Sequence, residues 1–136
     1  MLTISSKSHY GLLALLELTE FFNKELVQIS DIVRRRNVPK SYLEQIFNRL
    51  TKIGIVKSVR GNKGGYELGR HPDSISLLEI IEALEGKLEL CNNSHSAALT
   101  EVLKNVENKL TELLRISLST LLERQRILEQ QIMFTI

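Results

Sequence analysis

The chain has one cysteine, Cys91, in 136 residues, two prolines and no tryptophan. A single thiol excludes an intrachain disulfide scaffold and a four-cysteine zinc site. Aromatics make up only 5% of the sequence, so the core must be aliphatic, mainly Leu and Ile. No apolar run approaches the roughly 20 residues that span a bilayer, and a membrane is not expected as a partner. Residues Met1 to Lys7 lack the basic start and apolar stretch of a signal peptide. With 43% hydrophobic and 25% charged residues, the composition is that of a globular chain and not a disordered one. The expectation is one small domain with an extension, in a reducing compartment: a bacterial cytoplasm or a plastid stroma. No paired acid and base and no nucleophile with a partner stand out, and the chain is short for a deep pocket, so an enzyme is not expected.

The net charge of +2 hides an uneven distribution. Residues 34–70 hold ten basic and two acidic side chains, a net of +8. The rest, with eight basic and fourteen acidic side chains, carries −6. Such a block is either a solvated face or a surface for a polyanion.

Residues 9–22, rich in Leu and Phe, predict a central helix buried on most sides. A short helix from about Ser30 to Arg36 follows, with Ser30 as its cap and Asp31 at the positive end of its dipole. Arg34, Arg35 and Arg36 then lie in its last turn, serving either the helix dipole or a polyanion. After the turn at Asn37 and Val38, Pro39 opens a third helix that Gly54 closes. Leu43, Ile46, Phe47, Leu50 and Ile53 form its apolar side; Lys40, Ser41, Glu44, Gln45, Asn48, Arg49 and Lys52 form the other. Helix, short turn and polar-faced helix make a helix-turn-helix. Residues 55–60 predict a strand, Gly61 to Gly65 a turn and Tyr66 to Leu68 the return strand. This β-hairpin with a basic tip completes a winged helix. The predicted fold is therefore mostly α with a small β-hairpin wing.

A fourth helix begins within Asp73 to Ser76 and stops at Gly86; Ser76 and Glu79 have capping-box spacing. From about Ala97 to Glu129 the pattern reads as one long helix. Leu99, Leu103, Val106, Leu110, Leu114, Leu118 and Leu121 run along it in steps of three and four, with consecutive fours around Leu114. Its stripe needs cover, either from a second copy or by folding back on its own domain; a homodimer is the simpler solution. The expected organisation is a winged helix-turn-helix domain at 1–86, a sensor loop at 87–97, and a dimerisation helix with a docking tail at 98–136.

The motifs Ser6-Lys7-x-x-Tyr10, Tyr42-Leu43-Glu44-Gln45-Ile46, Arg60-Gly61-x-x-Gly64-Gly65-Tyr66, and Ile75-Ser76-Leu77 leading to Glu85-Gly86 resemble the Rrf-two family of bacterial winged-helix transcription regulators. The likeness covers the chain to about residue 86, and the hairpin motif is its most specific part. The resemblance implies a homodimer that binds semi-palindromic double-stranded DNA and regulates transcription, often as a repressor. Many members hold a 2Fe–2S cluster mainly through three cysteines in the loop before the dimerisation helix. Here that loop has only Cys91, so the three-cysteine set cannot form. The members that manage cysteine metabolism work without a cluster and through a protein partner. A regulatory protein is thus one candidate for the control signal. The rival reading is a dimeric adaptor that acts through its long helix and binds no DNA.

In a major groove, Lys40, Ser41, Glu44 and Gln45 on the first turns of the third helix would face base edges. Glu44 suits a cytosine amino group and Gln45 an adenine. Tyr42 and Arg49 suit phosphates, and Lys7 opens the first helix within the shared motif. In the wing, Lys57, Ser58, Arg60 and Lys63 supply polar contacts, with Arg60 suited to a narrow minor groove. Gly61, Gly64 and Gly65 serve the hairpin turn and a close approach of backbone to DNA together. Cys91 and His95 stand four apart. Two ligands per chain become four across a dimer, enough in number for a 2Fe–2S cluster or a zinc ion. A redox-responsive thiol, or an inert thiol beside a solvated imidazole, accounts for the same residues. No cofactor is firmly expected.

Overall fold

In the computed structural model, which describes residues 2–91 and 96–135, the fold comprises six α-helices and a two-stranded hairpin. The helices are α1 (Ser6–Glu20), α2 (Ile29–Arg36), α3 (Lys40–Lys52), α4 (Leu77–Glu85), α5 (Ala97–Leu113) and α6 (Leu118–Thr135). Strands β1 (Val56–Val59) and β2 (Gly65–Leu68) pair antiparallel, with Val56 opposite Leu68 and Val59 opposite Gly65. The predicted winged helix-turn-helix is present. No helix among the described residues is long and apolar enough to cross a membrane.

α1 begins earlier than its Leu pattern suggests because Ser5 caps it, its hydroxyl accepting from the Ser8 N–H at 3.3 Å. The helix then passes through the centre of the core, with Ala14, Leu15 and Leu18 fully buried. Leu43, Ile46, Phe47 and Leu50 of α3 pack against it, with Ile55, Leu68, Ile75 and Ile80. Fully burying such a side chain stabilises by about 1.5–3 kcal/mol before chain entropy is counted. Ile53, assigned by spacing to the same face, is half exposed because α3 has already ended and Gly54 turns the chain at φ +82°.

Two caps differ from expectation. Ser30 does not cap α2; Gln28 occupies that position without a side-chain bond to the helix. Its amide instead reaches the wing and donates to the Gly64 carbonyl. Ser76 does cap α4, accepting from the Glu79 N–H at 3.1 Å. The Glu79 carboxylate completes no reciprocal box, because it pairs with Arg70 at the end of the wing. Val27 adds a single bridge to Tyr66, giving the hairpin a one-residue third partner on its inner edge.

The long helix is two helices. The chain breaks at 114–117 and α6 turns back along α1. The cause is long-range: the first backbone donors of α4 find no partner within their own helix. Leu77 N–H donates to the Ile116 carbonyl and Leu78 N–H to that of Leu114, both at 2.8 Å. Leu118 N–H donates to the Ile75 carbonyl at 2.9 Å, and Ser117 then caps α6 through the Thr120 N–H. Leu118, placed by the sequence pattern on the dimer stripe, is therefore fully buried in its own core, and Leu121 is half-buried beside buried Leu122.

Candidate nucleic-acid interface

Side-chain pairing divides the basic block in two. Arg34 pairs with Asp31 at 2.9 Å, Arg70 with Glu79, and Lys40 with Glu44 at 3.9 Å. Arg35 and Arg36 both reach Glu17, a buried carboxylate of α1, at 3.2 and 2.9 Å. Arg35 also lies over the Phe21 ring, 5.3 Å from its centre. Arg35 and Arg36 thus fasten α2 to α1, while Arg34 pairs within α2. The other five cations, Arg49, Lys52, Lys57, Arg60 and Lys63, have no ion-pair partner among the described residues. All five are exposed, and all lie on α3 or the wing.

On α3, Ser41, Tyr42, Glu44, Gln45, Asn48 and Arg49 are exposed while Leu43, Ile46 and Phe47 are not, so the helix presents one continuous polar face. Tyr42 packs against Tyr10 of α1 with ring centres 5.5 Å apart. This contact ties the opening of α1 to the opening of α3. Lys7, one turn before Tyr10, is half-buried in the first turn of α1.

Glu44, Asn48 and Thr51 of α3 share one groove with Ser58 and Tyr66 of the hairpin. Lys57 and Ser58 line a second hollow with Thr51 and Gly54. The two elements predicted to meet DNA are therefore adjacent and lie beside a common channel. Behind it, Tyr66 packs on Phe47 with ring centres 4.7 Å apart and planes inclined by 47°, fixing the wing to α3. Arg60, Gly61 and Lys63 are exposed at the wing tip. Gly64 is buried, and a side chain there is excluded because its Cβ would lie 2.2 Å from the Val59 carbonyl oxygen. Gly65 is packed in the same way against the Val27 carbonyl at 2.9 Å. These two glycines therefore serve hairpin closure.

Sequence reasoning missed the Gln28 latch and the Tyr66 wall of the groove. Neither carries a local signal, since each acts through a residue far away in the chain. Asn48 had a signal, its place on the polar face of α3.

The segment after α4 is held from two sides. Leu88 N–H donates to Glu82 Oε2 at 3.0 Å, and Leu90 N–H to Glu107 Oε1 at 2.9 Å. Glu107 is a buried residue of α5 that also pairs with Lys104 at 2.7 Å. The Lys104 hydrogen bond, then that of Leu90, holds its carboxyl below the usual range, and Lys104 is raised in turn. Cys91 follows, half-buried, with Sγ 3.9 Å from the Thr100 hydroxyl. His95, the suggested second ligand, lies outside the described residues. Among the described residues no three His, Cys, Asp or Glu side chains converge as a metal site. With Cys91 as its only thiol, one chain supplies among its described residues no donor set that fits a 2Fe–2S cluster.

The family model described as Rrf2, iron-dependent transcriptional regulator, matches residues 4–124. The regulator IscR of Cereibacter sphaeroides is 39% identical over 84 residues, 60% of this chain and 54% of that protein. CymR of Bacillus subtilis is 40% identical over 82 residues, 60% of this chain and 59% of that protein. These matches span little more than half the length of the curated relatives. The solved structure of CymR, the global cysteine regulator of B. subtilis, superposes with a TM-score of 0.84 at 33% identity, covering 91% of this chain and 98% of that one. That of T. potens IscR does so at 0.78 and 36%, covering 91% and 88%. A winged helix-turn-helix with a free basic face on α3 and the wing, matched by its family's model over nearly its whole length, places the chain in the Rrf2 family of transcriptional regulators.

Proposed function

We propose that this chain is a homodimeric regulator of transcription, a repressor, that binds a semi-palindromic site in double-stranded DNA through α3 and the wing. The observation that carries this reading is the division of the basic block. Five cations pair with carboxylates within the fold, Lys40 only loosely, at 3.9 Å from Glu44 on the open face of α3. The five left free all lie on the two elements that would meet a duplex, where phosphates supply the missing anions. Lys40, Ser41, Glu44 and Gln45 would reach base edges in the major groove, with Tyr42, Arg49 and Lys7 at phosphates. Lys57, Ser58, Arg60 and Lys63 would follow the backbone or enter the minor groove beside it.

The dimer rests on α5. Leu99, Val102, Val106, Leu110 and Leu113 are exposed along one side of it, Leu113 to 76%. Leu103 and Leu114 turn toward the body with buried Glu107. The exposed positions are symmetric about residue 106. Two antiparallel α5 helices related by a twofold would set Val106 against Val106, Val102 against Leu110 and Leu99 against Leu113. A twofold dimer would then offer two α3 helices to two half-sites.

The experiment is selection of bound fragments from genomic DNA, followed by anisotropy titration of the selected duplex across a salt series, with sedimentation of the same sample. A dimer with sequence preference and a steep negative salt slope is expected. A single copy in solution, or no duplex binding at low salt, overturns the reading; a dimer that ignores DNA at every salt is the adaptor instead. Repetition under reducing and oxidising conditions, with Cys91→Ser alongside, tests whether the thiol carries the control signal.

A further inference from the structure

A cavity of about 560 Å³ lies between the segment before α1, the end of α4, residues 86–90 and α5. Leu2, Ile4, Ile81, Leu88, Leu90 and Leu110 line it. Its size falls in the range of small-molecule sites.

The frame is built by carboxylates that are already occupied. Glu82 holds the Leu88 N–H and Glu107 the Leu90 N–H, which suspends this segment between α4 and α5. Glu85 Oε1 accepts from the Ser5 N–H at 2.9 Å, from the Ser5 hydroxyl, and from the Ser8 hydroxyl at 2.6 Å. That cluster fixes the start of α1, and with it Leu2 and Ile4. Three anchors therefore keep the walls apart. Thr3, His9, Glu85, Gly86, Lys87 and Glu89 complete the lining; Glu85 is already held by Ser5 and Ser8, and Lys87 and Glu89 are of opposite charge. Aliphatic walls, a Glu85 carboxylate already satisfied by Ser5 and Ser8, and an opposed Lys87 and Glu89 leave no charge unmatched by a partner to attract an ion, and select for an uncharged apolar molecule.

We infer that this cavity is a binding site for a small uncharged apolar molecule whose occupancy is coupled to DNA affinity. Leu110 belongs both to the cavity wall and to the outward stripe of α5, so in the dimer reading, on which this inference rests, the partner helix lies across the mouth. The ligand would touch α5 on one side and the anchors of α1 and α4 on the other. It shifts the balance between arrangements of these parts to the extent that it binds one of them better.

The test uses the full-length chain with labelled Ile and Leu methyl groups and 1-octanol as the probe. Saturable shifts of Ile81 and Leu110 methyl signals at one octanol per chain are expected. Leu88→Trp, which fills the space, should weaken octanol binding at least tenfold while leaving the sedimentation of the protein unchanged; Leu90→Phe repeats this should the first variant not fold. Octanol should change operator affinity at least threefold in the parent and not in the filled variant. Absence of saturable shifts, equal binding in parent and filled variants, or loss of the dimer on filling (partner side chains then occupy the space) overturns the site. Binding without a change in operator affinity overturns the coupling. A parent that binds no duplex at all, while octanol still shifts Ile81 and Leu110, is a failure of the regulator reading and not of the cavity.

Discussion

Arg36 Nε donates to Glu17 Oε1 at 2.9 Å, joining the last turn of α2 to a carboxylate buried in the middle of α1. Arg35 reaches the other oxygen of the same carboxylate at 3.2 Å. The first helix of the helix-turn-helix is thereby locked to the central helix. Glu17→Ala should cost about 1–3 kcal/mol of stability, since a hydrogen-bonded charge is lost and two guanidinium groups must return to water. Arg35 is well exposed, which keeps the figure below that of a fully buried pair. Urea unfolding at neutral pH measures it; an unchanged midpoint would show that the lock contributes nothing.

The salt dependence of operator binding separates the free cations from the paired ones. Each phosphate contact removed should lower the slope of log affinity against log salt by about 0.9. Arg60→Ala and Lys63→Ala are expected to do so and to weaken specific binding. Arg34→Ala, whose side chain is held by Asp31, is expected to leave the slope alone. Equal slopes for all three variants would contradict the division of the basic block.

Glu44 sits 3.9 Å from Lys40 on the open face of α3 and beside the groove shared with the wing. A carboxylate against DNA is unfavourable unless it reads a base or is neutralised. Glu44→Ala is expected to reduce discrimination at one base-pair position by about 1–3 kcal/mol while preserving affinity for unrelated duplexes. Competition between the operator and singly substituted duplexes measures this. Unaltered preference at every position would assign Glu44 to pairing with Lys40 alone.

Val106→Glu puts two carboxylates near the proposed twofold. A buried, uncompensated charge costs about 3 kcal/mol or more, enough to shift the chain to single copies at micromolar concentration. Sedimentation and circular dichroism together test it. A folded variant that remains dimeric would move the interface away from this stripe.

Acid should loosen the segment that carries Cys91. The Glu107 carboxyl is held low by its bonds from Lys104 and Leu90, and that of Glu85 by the Ser5 and Ser8 hydroxyls and then the Ser5 N–H. A carboxyl whose value is lower in the folded chain stabilises the fold above the ordinary range, about 4.3. That contribution fades as pH falls through the lower folded value. Melting temperatures of the parent and of Glu107→Gln should differ at pH 7 and converge toward pH 3. Curves that stay parallel would remove the carboxylate from this role.

Much of the fold was legible along the chain because it is locally specified. The β-branched strand at 56–59, the apolar spacing of α3 and the glycines of the wing each act through neighbours a few residues away. The polar face of α3 was legible for the same reason: once Leu43, Ile46 and Phe47 are buried, helical geometry fixes which side chains remain outside. Charge was less legible. Composition counts ten cations in 34–70 but does not distinguish Arg36, spent on Glu17, from Arg49, which is free, because the pairing crosses from one helix to another.

The sequence alone therefore determined the helix-turn-helix, the wing and the amphipathic stripe of α5, since periodicity and turn chemistry are local properties. Where the stretch after residue 97 bends was decided only by the tertiary structure. Leu114 to Leu118 contains neither glycine nor proline, and its one local signal, the capping Ser117, is too weak by itself to end a helix. The unpaired donors at the start of α4 take the carbonyls of Leu114 and Ile116, and the core takes Leu118. Those contacts join residues some forty positions apart, and they outweigh the few hydrogen bonds that an unbroken rod would have kept.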